Sequence, residues 1–183
     1  MRHRRSSPLR RLAIDIHWLF TIAEEVGVGA ASILTPDVSS MVAVDNGTSA
    51  PGQNSAEFGV TITVADQTGP FDDHLTKKLA RICRDEDIRY QKDVFRDCRS
   101  DSAVEAGHDM RTALVTFGVD ASHGWERTHM DALRSLAELL TAYAVSPLEI
   151  ERDANLHGDL AGFTRQPLAE AAQTIDTQTE RID

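Results

Sequence analysis

The strongest constraint on the fold is the alternation of short apolar, β-branched runs with stretches that carry their apolar residues at helical spacing. Phe58 to Val64 reads Phe-Gly-Val-Thr-Ile-Thr-Val, an alternating, β-branched run suited to a strand. Pro70 is then expected to open an amphipathic helix, because Phe71, Leu75, Leu79 and Ile82 fall on one face. Tyr90 to Phe95 is a short strand, Ala103 to Gly107 a brief helix and Thr112 to Phe117 a further core strand. The clearest helix is Met130 to Tyr143, where Met130, Leu133, Leu136, Leu139, Leu140 and Tyr143 form one apolar stripe. Strands alternating with helices point to an α/β unit with a largely parallel mixed sheet. With 183 residues, 41% of them hydrophobic, the chain can bury one such core.

Two apolar runs come before these elements. Leu12 to Ile22, rich in Ile, Trp and Phe, has the pattern of a strand buried on both faces, and it ends at Ala23-Glu24-Glu25. Gly27 and Gly29 allow a tight turn, after which Ala30 to Leu34 can start a short helix that Pro36 stops. Met41 to Val44 is a second strand ending on an acid, Asp45, followed by the turn pair Asn46-Gly47 and a loop over Thr48 to Ser55.

Charge separates the chain into three parts. Lys+Arg 19 against Asp+Glu 29 leaves a net charge of −10, which argues against nucleic acid or an anionic membrane as the main partner. The first residues run the other way, with Arg2, Arg4, Arg5, Arg10 and Arg11 and no acid. Residues 1–11 are therefore read as a solvated basic leader, 12–145 as the folded domain and 146–183 as a polar, loosely held tail. No apolar run reaches the length of a membrane span. Together with Cys83 and Cys98, read as reduced structural thiols, this suggests a cytoplasmic protein.

In an open α/β sheet, ligands bind beyond the carboxyl ends of the strands. Two strands are expected to deliver acids there, Glu24 and Glu25 after the first and Asp45 after the second. The loop after Thr112 to Phe117 carries His123. Carboxylate and imidazole ligands converging from separate strands suit a divalent metal such as zinc, cobalt or manganese. His123 and His129 flank Glu126, but the glutamate is misplaced for a zinc motif on a single helix.

In order along the chain, Ala-Glu-Glu-Val-Gly-Val-Gly from Ala23, Val-Ala-Val-Asp-Asn-Gly from Val42 and the stretch from Ser122 to His129 resemble the glutamyl-aminopeptidase and cellulase-M-like family of dinuclear metallo-aminopeptidases. The likeness is closest to the branch linked to bacterial synthesis of an acetylated glutamine-dipeptide osmolyte. It implies a three-layer sandwich with a largely parallel mixed sheet flanked by helices, of which this chain carries the later part of the catalytic domain. It also implies a metal-dependent aminopeptidase-type hydrolase of short peptides or a small amide, with two divalent metal ions, zinc or cobalt, and frequent assembly into homo-oligomers. By position, Glu24 (general base), Glu25 and His123 (ligands of one metal) and Asp45 (ligand of the other) carry the chemistry. Asp101, in a turn where relatives have a Gly-Thr-Asp-Ala-like segment, is a possible substrate-positioning residue. Relatives also use an upstream histidine and a metal-bridging aspartate that have no counterpart in this sequence, so impaired activity of the lone chain is expected. The alternative is a noncatalytic fragment or partner-binding module derived from the same fold.

Overall fold

The computed structural model describes residues 11–27, 29–30, 38–55, 57–101 and 110–147. Residues 1–10 of the basic leader, 31–37, the brief helix expected within 102–109, and the tail from 148 onward lie outside the described residues. The elements in chain order are a three-residue 3-10 turn at Glu24–Val26, β1 (Ser40–Thr48), β2 (Val60–Asp66), β3 (Gly69–Pro70), α1 (Asp73–Asp85), β4 (Tyr90–Val94), β5 (Arg111–Val119) and α2 (Met130–Ala144).

The strands form one mixed sheet of order β1-β5-β2-β3, with β4 also paired to β2. β1 runs parallel to β5 and β2 parallel to β4, whereas β2 is antiparallel to both β5 and β3. The two-residue alternation of β2 decides which side chains meet the helices. Val60 and Ile62 join Ala113 and Val115 of β5 against Leu75, Leu79 and Ile82 of α1 and Leu136 and Leu139 of α2. Burial of this apolar surface is the main source of stability. Thr61, Thr63, Leu114 and Thr116 are buried on the opposite face, where Leu114 packs with Phe71 and Phe95.

Caps and ion pairs hold α1 in register with the sheet. The Asp72 side chain accepts the Leu75 N–H at 2.8 Å, satisfying a donor left open at the helix start. Its second oxygen accepts from Arg111 at 2.9 Å, tying α1 to the beginning of β5. The helix therefore opens at Asp73 behind an aspartate cap and not at Pro70, which sits in β3. Cys83 lies in the core, where burial pushes its thiol up to about 12; Cys98, also free, is exposed.

Three local expectations are corrected. Leu12 to Ile22 is no strand: the segment has no regular secondary structure and bends at Ala13-Ile14 and at Ile22, with Phe20 86% and Ile22 101% exposed. An apolar run becomes a strand only when an adjacent edge accepts its backbone bonds. Among the described residues β1 pairs with β5 alone, and the segment is anchored instead by the Ala13 N–H donating to Ala144 O at 3.0 Å. Asn46-Gly47 is not a turn, because β1 continues through both residues opposite Phe117 and Gly118. Gly47 is required there by close packing, since a Cβ would stand 2.6 Å from Thr116 Oγ1 and 2.9 Å from Phe95 Cζ. Met130, expected in the apolar stripe, is exposed at the first residue of α2.

Candidate active site

Glu24 and Glu25 occupy the 3-10 turn that follows this irregular segment. The turn closes when Gly27 donates its N–H to Glu24 O at 2.8 Å. Gly27 adopts φ 76, a left-handed conformation that glycine reaches without steric cost. Asp45 lies within β1, opposite Thr116 of β5, and its Oδ1 accepts the Asn46 N–H at 2.7 Å. The strand thus carries this carboxylate itself, where the sequence places it at a strand end.

The loop after β5 brings His123 to the glutamates. His123 Nε2 stands 3.4 Å from Glu25 Oε2, with both side chains largely exposed. His123 has φ 65, which is uncommon for a residue with a Cβ. Its N–H donates to Glu126 Oε1 at 3.0 Å, so the glutamate three residues on stabilises this turn of the loop. Asp101 is turned toward the backbone, its Oδ1 accepting the Ala30 N–H at 3.2 Å.

The site is electrostatically uncomfortable without a cation. Partial burial raises the Glu24 carboxyl above its ordinary value, and Asp45, Glu25 and Asp101 raise it further while Arg99 works the other way. Burial also raises Asp45; the Asn46 N–H opposes this, and Glu25, Asp101 and Glu126 add to it. Glu24 and Asp45 are thus each destabilised as anions, first by burial and further by neighbouring carboxylates, the condition that positive charge relieves. The fit to a metal is partial. Glu25 and His123 meet as a pair, but among the described residues no group of three or more His, Cys, Asp or Glu side chains is placed to hold an ion. Asp45 is not in contact with this pair; it acts through its field on Glu24.

Residues 5–139 match the M42 glutamyl aminopeptidase family. The chain belongs to that family. The protein YhfE of Bacillus subtilis (strain 168), whose name assigns it as an aminopeptidase, is 38% identical over 139 residues, covering 75% of this chain and 40% of YhfE. The dodecameric PhTET1-12s superposes with a TM-score of 0.60 at 22% identity over 68% of this chain and 40% of its own. The TET aminopeptidase of Thaumarchaeota archaeon SCGC AB-539-E09 gives 0.57 at 18% identity over 72% and 40%. At those identities the solved structures establish the α/β fold of this M42 chain, which spans about two fifths of the length of these relatives.

Two neighbours of the candidate site were given no role from the sequence. Arg99 is the cation nearest in influence to Glu24, and no pattern announces a lone arginine in a loop. Glu126 was legible in principle, since a carboxylate three residues after His123 can reach back to its N–H.

Asp45 supplies a test of this electrostatic account. Its folded-state carboxyl is raised, so the folded protein holds the proton more tightly than the unfolded chain. Its ionisation therefore costs stability as pH rises above the ordinary aspartate value. In metal-free protein, Asp45→Asn is expected to raise the Tm at neutral pH by a few degrees. The gain should shrink toward about pH 3, where Asp45 is itself neutral. Thermal unfolding at both pH values checks this, and an unchanged or lower Tm at neutral pH would contradict it.

Proposed function

We propose that this chain forms part of the catalytic domain of a metal-dependent aminopeptidase acting on short peptides or a small peptide amide. The observation that carries the reading is the approach of His123 to Glu25, 3.4 Å apart although far separated in sequence, in a chain of the M42 family. Glu25 and His123 would hold one divalent cation, zinc or cobalt, and Asp45 would face a second. A bound divalent cation supplies acidification of water and charge neutralisation at the scissile carbonyl. Glu24 is the general base: it takes the proton from the attacking water and returns it to the leaving amine. Its raised carboxyl suits the first transfer, because a carboxylate of higher pKa is the stronger base toward the water proton, and the resulting carboxylic acid is still far stronger than the ammonium group formed when it returns the proton to the amine. Asp101, whose Oδ1 accepts the Ala30 N–H, would position substrate through its second oxygen.

No helix among the described residues is long and apolar enough to cross a membrane, which fits the cytoplasmic setting included in this proposal. Assembly into a homo-oligomer is included as well. It is supported by the Pyrococcus horikoshii TET1 peptidase, which forms a tetrahedron or a large octahedral shell.

Catalytic zinc normally takes about three protein ligands, so the chain by itself is expected to bind metal weakly and turn over slowly. The test compares it with a fusion that supplies the part of YhfE lying outside the match. Zinc and cobalt uptake by calorimetry and release of free amino acids from short peptides are measured for both. The fusion should bind metal and hydrolyse; a fusion that does neither would remove the enzyme reading. A noncatalytic, partner-binding module is the second reading. It is favoured by the exposed Trp18, Phe20 and Ile22, an apolar surface of the kind that pairs with another chain.

A further inference from the structure

The turn from Arg99 to Asp101 grips the glutamate-bearing segment at two points. Arg99 Nη2 lies 2.5 Å from where a Cβ on Gly27 would stand, so its guanidinium covers the residue that closes the Glu24–Val26 turn. Two residues further on, the Asp101 carboxylate fills the space beside Gly29, where a Cβ would collide with Oδ1 and Oδ2 at once. The same Oδ1 accepts the N–H of Ala30. Gly29, Ala30 and the intervening Ser100 are all buried, so this contact is enclosed and not a chance approach of surface groups. The two glycines after the glutamate pair thus act as clearances for two side chains of a single remote turn.

We propose that the Arg99–Asp101 turn is a positioning clasp for Glu24, in which Asp101 pins the backbone that follows the glutamates and the Arg99 guanidinium rests against Gly27, the residue that closes the Glu24–Val26 turn. The two halves are chemically distinct. A carboxylate accepting a backbone N–H is a directional, charge-assisted bond. The Arg99 guanidinium makes its contact by packing against the Gly27 backbone. Arg99 and Asp101 are positioning residues here and touch no reacting atom. The clasp stands on geometry alone; its benefit to turnover rests on Glu24 being the base.

Hydrogen exchange on the full chain tests the clasp without any turnover. Asp101→Ala should speed exchange of the Ala30 amide by roughly tenfold, the loss of one charge-assisted hydrogen bond, and Asp101→Asn should recover most of the protection. Should Asp101→Ala fold poorly, Asp101→Asn carries the comparison with Gly29→Ala. The added methyl should destabilise the wild-type chain through collision with Asp101 and cost less in an Asp101→Ser background, a non-additive cycle. Unchanged Ala30 exchange, or an additive cycle, would overturn the clasp. In the fusion, Arg99→Ala should lower kcat by roughly tenfold with KM nearly unmoved, and Arg99→Lys should restore part of it. If the fusion hydrolyses peptides and needs Glu24 but kcat is indifferent to Arg99→Ala, the positioning role fails. If the fusion never hydrolyses while Ala30 exchange responds as stated, the function is wrong and the clasp stands.

Discussion

Replacing Glu24 by glutamine is expected to lower peptide hydrolysis by roughly 10²–10⁴-fold, the usual contribution of a positioned general base, while metal uptake persists. Glutamine has the shape of glutamate and leaves the turn intact, including the Gly27 N–H bond to Glu24 O, which involves the backbone only. It removes the proton acceptor and, with it, the repulsion from Asp45, Glu25 and Asp101. The substitution should therefore not lower the Tm, and a loss of turnover cannot be charged to unfolding. Kinetics on the YhfE fusion, with zinc titration and thermal unfolding alongside, separates these effects. Turnover within a factor of about two of the unsubstituted fusion would show that no proton passes through Glu24.

Truncating Leu79 to alanine should produce the largest loss of stability among single core substitutions, about 2–5 kcal/mol. Leu79 is fully buried where α1 meets β2 and α2, among Val60, Ile62, Val115 and Leu139. The cavity left there is walled by a sheet and a second helix, neither of which can close in without breaking its own packing. A domain of this size has only about 5–15 kcal/mol to lose. Phe20→Ala is the contrasting case: the ring is larger, yet 86% exposed, and its removal should change stability by no more than about 0.5 kcal/mol. Urea unfolding of the two variants checks both figures. A comparable loss from Phe20→Ala would mean that the irregular segment is packed in solution.

The elements legible in the sequence were those whose period and packing agree. β2, β5, α1 and α2 all appear near their expected ranges, because Val60 and Ile62 of the strand and Leu136 and Leu139 of the helix Met130–Ala144 pack into one shared core. Shifts at their ends have local causes: Asp72 and not Pro70 caps α1, and Asn46-Gly47 continues β1 because its partner β5 extends to Val119. The acids of the candidate site were equally visible as residues, since Glu24, Glu25 and Asp45 each follow or lie within an apolar run. The grip of Asp101 on Ala30 was not visible, for it joins two loops 71 positions apart.

Periodicity and residue type along the chain therefore determined the α/β class, the helices and central strands, and the acids at the candidate site, while the quoted motifs carried the resemblance to the family. Those properties come from interactions within a few residues or from one face of an element, which a local pattern encodes. Tertiary structure alone decided that Leu12 to Ile22 would lie irregular and exposed, that Asp45 would stand inside a strand, and that His123 would reach Glu25 while Arg99 covered Gly27. Each of those outcomes depends on which backbone edge is available for pairing, or on which charges approach within a few ångströms. Such long-range proximity exists only once the sheet has assembled.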